Sequence, residues 1–241
     1  MPLPIGLQLY TVRDLLEGSQ LGDTLKKIAD IGYTHAEVGP FSGHTTEELT
    51  KAARDAGLTV VGSHEGNLAF GDGPGTLKMV ADLGIPYAIQ PYMPQDKRTP
   101  EGYGKIADDL SKLSHEGVKV LYHNHDWEFD KIDGDTTGYD VLVMDTAIGA
   151  ELDTCWSSVA GRDSVQLMKR LADRMPLIHV KDAKGRELTE LGEGDVPVKD
   201  IVAAAPECGV ECLVVEQDNH WMNGDPLASA KKSFDYLTSI L

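Results

Sequence analysis

Residues Val118–Phe129 read VKVLYHNHDWEF. The apolar run Val118–Tyr122 passes straight into His123, Asn124, His125 and Asp126. That is the form of a buried strand delivering polar groups to a pocket at its C-terminal end. Strand side chains alternate with period two, so His123 and His125 are expected on one face. Two such imidazoles can share a metal ion, or one can bind it while the other moves protons. Taken alone, the pattern fits two histidines in a polar loop equally well. The other apolar runs of the chain decide the matter, because several of them end the same way.

Working outward, strands are expected over Ile5–Tyr10, Ala36–Val38, Leu58–Gly62, Ile85–Gln90, Val118–Tyr122, Ala150–Thr154, Leu177–Lys181 and Cys212–Glu216. Between them, apolar residues recur at helical spacing, as in Leu25, Ile28, Ala29 and Ile31, or Ile106, Leu110 and Leu113. Further helices are expected near Thr76–Leu83, Tyr139–Ala147, Val165–Arg174, Val198–Glu207 and Leu227–Leu241. Thr45 and Glu48 have capping-box spacing, and Thr99-Pro100 is a cap followed by a first helical residue. Gly32, Gly57, Gly84, Gly117 and Gly209 each stand directly before an apolar residue that opens a strand, the position of a helix-ending glycine. This repeated unit, without GxGxxG or GxxxxGK[ST], points to an α/β fold, a (β/α)8 TIM barrel occupying residues 1–241 as one domain.

Composition narrows the function. The 241 residues carry 22 Lys and Arg against 39 Asp and Glu, a formal charge of -17. That balance argues against nucleic acid and against an anionic membrane surface. Three cysteines form no disulfide framework and fit a reducing, cytoplasmic setting. No signal peptide and no membrane span are read from the sequence.

In such a barrel the active site lies at the C-terminal ends of the strands. The polar residues there are Gln8 and Tyr10, Glu37, His64, Gln90, His123 and His125, Asp153, His179 with Lys181 and Asp182, and Glu216. Asp153, His179 and Glu216 fall on three consecutive strands, so they converge. Nitrogen-and-carboxylate ligation suits Mn²⁺, Co²⁺, Zn²⁺ or Mg²⁺.

LQLYTVRD, GSHEG, YHNHDWEF, ELDTCW, IHVKD, LGEGD and VVEQD, in this order, resemble the xylose-isomerase-like barrel superfamily, the sugar phosphate isomerase/epimerase family. In its ketose 3-epimerases, Glu, Asp, His and Glu on strands five to eight bind the metal, and the two glutamates move the proton. The resemblance implies Asp153, His179 and Glu216 as ligands, with His123 in place of the first glutamate. A relay of two glutamates could not survive that departure. His123, His125 or Lys181 would have to supply the missing acid or base; Glu216, His125 and Lys181 are the candidates for catalysis, and Gln8, Tyr10, Glu37, His64 and Gln90 those for substrate contact. The implied activity is metal-dependent isomerisation or epimerisation of a small sugar or keto-sugar by proton abstraction α to a carbonyl. The alternatives are a lyase or dehydratase on an inosose or 3-keto-sugar, and a sugar-binding barrel that has lost its chemistry. The implied partner is a small-molecule carbohydrate; assembly into a homo-oligomer is left open. Endonuclease IV, of the same superfamily, is a poor match: Trp156 stands where it has a histidine, and residues 182–195 lack its Asp-x-His pair.

Overall fold

The computed structural model describes residues 2–241. Eight parallel strands close into a barrel. They are β1 (Ile5–Gln8), β2 (His35–Val38), β3 (Thr59–His64), β4 (Tyr87–Gln90), β5 (Lys119–His123), β6 (Gly149–Asp153), β7 (Leu177–Val180) and β8 (Cys212–Val215). β1 pairs with β2 on one side and β8 on the other, completing the ring. Among the described residues, no helix is long and apolar enough to cross a membrane.

The local signals act as the sequence leads one to expect. Thr45 Oγ1 accepts the Glu48 N–H and the Glu48 carboxylate accepts the Thr45 N–H, opening the helix Thr46–Asp55. Gly32, Gly57 and Gly84 close their helices with positive φ, from 65° at Gly84 to 123° at Gly32, a region closed to most L-residues. Gly117 and Gly209 also have positive φ, but in turns that follow helices already ended at Ser111 and Ala204. The helix Pro100–Ser111 buries Tyr103, Ile106, Ala107 and Leu110 in the main hydrophobic core. Each large apolar side chain so buried contributes about 1.5–3 kcal/mol.

Inside the barrel, Tyr87, Ile89, Leu121, Leu177, Cys212 and Val214 form an apolar plug. Period-two alternation then carries the inward face from Leu121 to His123, from Leu177 to His179 and from Val214 to Glu216. The same alternation that fills the lower barrel thus delivers a polar layer above it.

Three features differ from expectation. β1 stops at Gln8, because Gln8 Oε1 accepts the Tyr10 N–H at 3.1 Å and the chain turns into the 3-10 segment Leu9–Leu15. The expected helix Tyr139–Ala147 is only a π-helical turn, Asp140–Met144. Its end is closed by Arg174, whose guanidinium donates to the carbonyls of Val143, Thr146 and Ile148 at 2.6, 2.7 and 2.9 Å. Two antiparallel hairpins also stand outside the barrel, Lys131–Asp133 with Thr136–Thr137 and Asp182–Lys184 with Glu187–Thr189.

Candidate active site

The C-terminal ends of the strands surround a cavity of about 900 Å³. Gln8, Tyr10, His64, His123, His125 and Glu216 line it. Asp153, His179, Glu37 and Lys181 lie beneath, fully or almost fully buried.

One ligand atom from each of His123, Asp153, His179 and Glu216 lies within 4.8 Å of the others. These are the four residues expected to bind metal, and they come from β5, β6, β7 and the end of β8. Hydrogen bonding shows what the cluster lacks. His123 Nδ1 donates to the Pro91 carbonyl at 3.1 Å. Burial, with the charge of His179 beside it, holds His123 down at about 4, so the ring is neutral and has one N–H to give. Its Nε2 is therefore a bare lone pair, 3.4 Å from Asp153 Oδ2. Among the described residues neither atom has a hydrogen-bond partner, though both are buried. Lys181 Nζ is 3.1 Å from the same oxygen, close enough for attraction but not aligned as a hydrogen bond. Two unpaired lone pairs face each other, and a coordinated cation between them would satisfy both. The donor set fits a divalent ion.

His179 is arranged in the opposite manner, with both ring nitrogens paired. Its Nε2 meets Glu37 Oε2 at 2.8 Å and its Nδ1 meets Glu216 Oε2 at 3.0 Å. Burial opposes the charged ring, but Glu151, Glu216 and Glu37 together hold its pKa well above the ordinary value. The Nδ1 proton of His179 thus bridges to Glu216.

The remaining expected residues take distinct places. His125 projects into the cavity with its ring stacked on Trp127, centroids 4.1 Å apart at 11°. Burial, His123 and Lys181 depress its pKa well below the ordinary value, and its Nδ1 is unpartnered. Lys181 is packed among Asp153, Glu216 and Asp218. Although burial disfavours its charge, these carboxylates keep it well above its ordinary pKa, as a counter-ion. Gln8 borders the cavity, yet its amide donates to Glu37 at 2.6 Å. Glu37 and Gln90, expected to touch substrate, are fully buried and do not line the cavity. Glu37 serves Gln8, His64 and His179, while Gln90 binds the Ala69 N–H and the Tyr92 carbonyl.

Several participants were not singled out in the sequence. Glu151 is buried two residues before Asp153, and its Oε2 lies 2.7 Å from His64 Nε2. The alternation in ELD was the available signal, since Glu151 and Asp153 must share a face. Asn124, between the two histidines, clamps the β6 backbone: its Oδ1 accepts the Asp153 N–H and its Nδ2 donates to the Asp153 carbonyl. Glu128 accepts the His125 N–H and the Tyr122 hydroxyl, each at 2.7 Å.

The profile of the xylose isomerase-like TIM barrel family matches residues 25–240. The rhizopine catabolism protein MocC of Rhizobium meliloti is 30% identical over 110 residues, 42% of this chain and 31% of that protein. An inosose dehydratase of Mesomycoplasma hyopneumoniae (strain 7448) is 25% identical over 170 residues, 59% of this chain and 56% of that one. The chain thus aligns with between 31% and 56% of the length of these curated relatives. A crystal structure from Parabacteroides distasonis, described as a sugar phosphate isomerase/epimerase, superposes with a TM-score of 0.80 at 24% identity, covering 98% of both chains; at that identity the likeness is one of fold. With the profile spanning nearly all of the barrel, the chain belongs to the xylose isomerase-like TIM barrel family.

Proposed function

We propose that this protein is a metal-dependent isomerase or epimerase that removes the proton α to the carbonyl of a small sugar or keto-sugar. The observation that supports this most is the pair of partnerless lone pairs, His123 Nε2 and Asp153 Oδ2, beside His179 and Glu216 at the floor of the cavity. These four residues would hold the ion, which when bound supplies Lewis-acid polarisation of the carbonyl and its neighbouring hydroxyl. Glu216 reaches the cavity wall as an ionised carboxylate: burial opposes its charge, but Lys181 and His179 hold its pKa well below the ordinary value. It is one proton acceptor for the substrate carbon. His125, neutral and fixed against Trp127, is the second proton carrier, the part that a strand-five glutamate plays in ketose 3-epimerases. Lys181 holds Glu216 in place and keeps it charged.

A second reading is a lyase, in which the same proton removal is followed by loss of a β-substituent. The likeness to an inosose dehydratase over 59% of the chain favours it. So does a histidine placed where it could protonate a departing oxygen.

One experiment tests both readings. The metal-loaded protein is incubated with a panel of keto-sugars in D₂O. Deuterium in recovered sugar together with an epimer or isomer supports the first reading; loss of water or another substituent supports the second. No exchange and no product with any sugar would contradict both. His125→Asn should keep its metal and lose roughly 10²–10⁴-fold in turnover, the usual effect of removing a general acid or base. Undiminished turnover would remove His125 from the mechanism.

A further inference from the structure

We propose that the outer half of the cavity is a subsite for an aromatic or fused-ring group attached to the sugar, so that the substrate is a glycoside-like conjugate. The inference rests on the reading of the floor as a sugar-processing centre.

The evidence is the distribution of aromatic side chains. The chain is poor in them, with 8 Tyr, 4 Phe and 3 Trp. Yet Tyr10, Phe41, Phe70, Tyr92 and Trp127 all line this one cavity. In chain order they follow β1, β2, β3, β4 and β5, which are consecutive around the barrel. Of the four ligand residues, Asp153, His179 and Glu216 belong to β6, β7 and the end of β8, and His123 to β5. The rings that line the mouth are therefore gathered over one arc, β1–β5, which they share with His64, His123 and His125.

The rings are arranged as a recognition surface and are only partly used by the protein itself. Tyr10 meets Phe41 edge-on, centroids 5.8 Å apart at 88°. Phe70 and Tyr92 are tilted at 32°, 6.1 Å apart. Among the described residues, the large apolar side chains left exposed are Tyr10, at 40%, Tyr92, at 44%, and Leu241. Two of these three therefore stand in the same mouth. Exposed aromatic faces gathered around a concave site mark a place where apolar surface is to be covered. The cavity, at about 900 Å³, is near the top of the range that encloses drug-sized molecules. A lone sugar ring at the floor would leave the aromatic arc bare.

Arg98 adds a chemical preference. Its guanidinium lies 3.8 Å over the Trp127 ring and its Nε donates to the Met93 carbonyl. Its terminal nitrogens have no protein partner among the described residues. His125 stacks on the same indole, so Trp127 seats Arg98 and leaves the stacking to the exposed Tyr92 and Tyr10; a ring bearing oxygen substituents would use these and the cation.

The test is equilibrium binding by titration calorimetry to the metal-loaded protein, with 4-nitrophenyl β-D-glucopyranoside, methyl β-D-glucopyranoside and 4-nitrophenol as probes. The aryl glucoside should bind about 10-fold more tightly than the methyl glucoside, the gain expected from ring stacking. Tyr92→Ser should erase most of that gain without changing metal content or methyl glucoside affinity, and Tyr92→Phe should retain it. Equal affinity for the two glucosides would overturn the inference, as would Tyr92→Ser converting a dimer to a monomer in sedimentation, since a second copy would then cover the arc. Retained metal and deuterium exchange alongside either result would leave the reading of the floor intact. Loss of metal and exchange with a persisting aryl preference would overturn that reading and keep the subsite.

Discussion

His64, His123 and His179 sit on three strands within one polar layer, yet their surroundings drive them to different protonation states. Burial and the neighbouring His179 hold His123 at about 4, against an ordinary 6.5. Its folded form is neutral, so its contribution to stability is complete above about pH 6.5 and is lost as pH falls through about 4. His64 is the reverse. Burial works against its charge, but Glu37 and Glu151 push it up to about 10. Its contribution is complete below about pH 6.5 and is lost as pH rises through about 10. Urea unfolding of the metal-free protein should therefore show greatest stability near pH 6.5, with losses on both sides. His64→Gln should shrink the alkaline limb, leaving the share that His179 contributes, and leave the acid limb. An alkaline limb undiminished in this variant would contradict the assignment. Sequence reading reached the positions of these residues through strand-end logic, but not their states. Which nitrogen of His123 is free depends on the Pro91 carbonyl, contributed by a different strand end, and no spacing rule encodes that contact.

The connection after β7 shows what can and cannot be read of an element. The LGEGD run was recognised as a motif, without a physical role. Asp182 supplies the role. Its buried carboxylate accepts the backbone N–H groups of Ala183, Gly192, Gly194 and Val196 at 2.9–3.1 Å. Gly194 must be glycine, since a Cβ there would collide with Asp182 Oδ1. This staple folds the hairpin Asp182–Lys184 and Glu187–Thr189 back beside the site. Asp182→Ala leaves buried N–H groups unsatisfied and should destabilise the protein by about 3 kcal/mol, measured by urea unfolding. A loss below about 0.5 kcal/mol would show that water replaces the carboxylate. Local signals of this kind were legible where donor and acceptor lie within one turn, as at Thr45 and Glu48. They failed where the partner is distant, as with Arg174, which truncates the expected helix at Tyr139–Ala147 from some 30 residues away.

Closure of the barrel turns scattered strand ends into one charged layer. Glu37, Glu151, Asp153, Glu216 and Asp218 meet at the same end, with Lys181, among the described residues, as the one lysine in contact with them. The sequence showed that such a layer exists, because eight apolar runs end in polar residues. It did not show the depth of the layer. Glu37 was expected at the surface of the site and lies beneath it, and Glu151 was overlooked within an apolar run. So many carboxylates in a buried layer need cations, and in the metal-free molecule protons on His64 and His179 serve in part. Metal uptake should therefore release protons and strengthen as pH rises. The direct test is metal content after chelation and reloading with Mn²⁺, Co²⁺, Zn²⁺ or Mg²⁺, read by inductively coupled plasma mass spectrometry, with circular dichroism confirming that each sample is folded. The wild type should retain about one equivalent of at least one of these ions, while folded Asp153→Ala and Glu216→Ala retain none. No uptake by the wild type, or undiminished uptake by both variants, would contradict a metal centre at these strand ends.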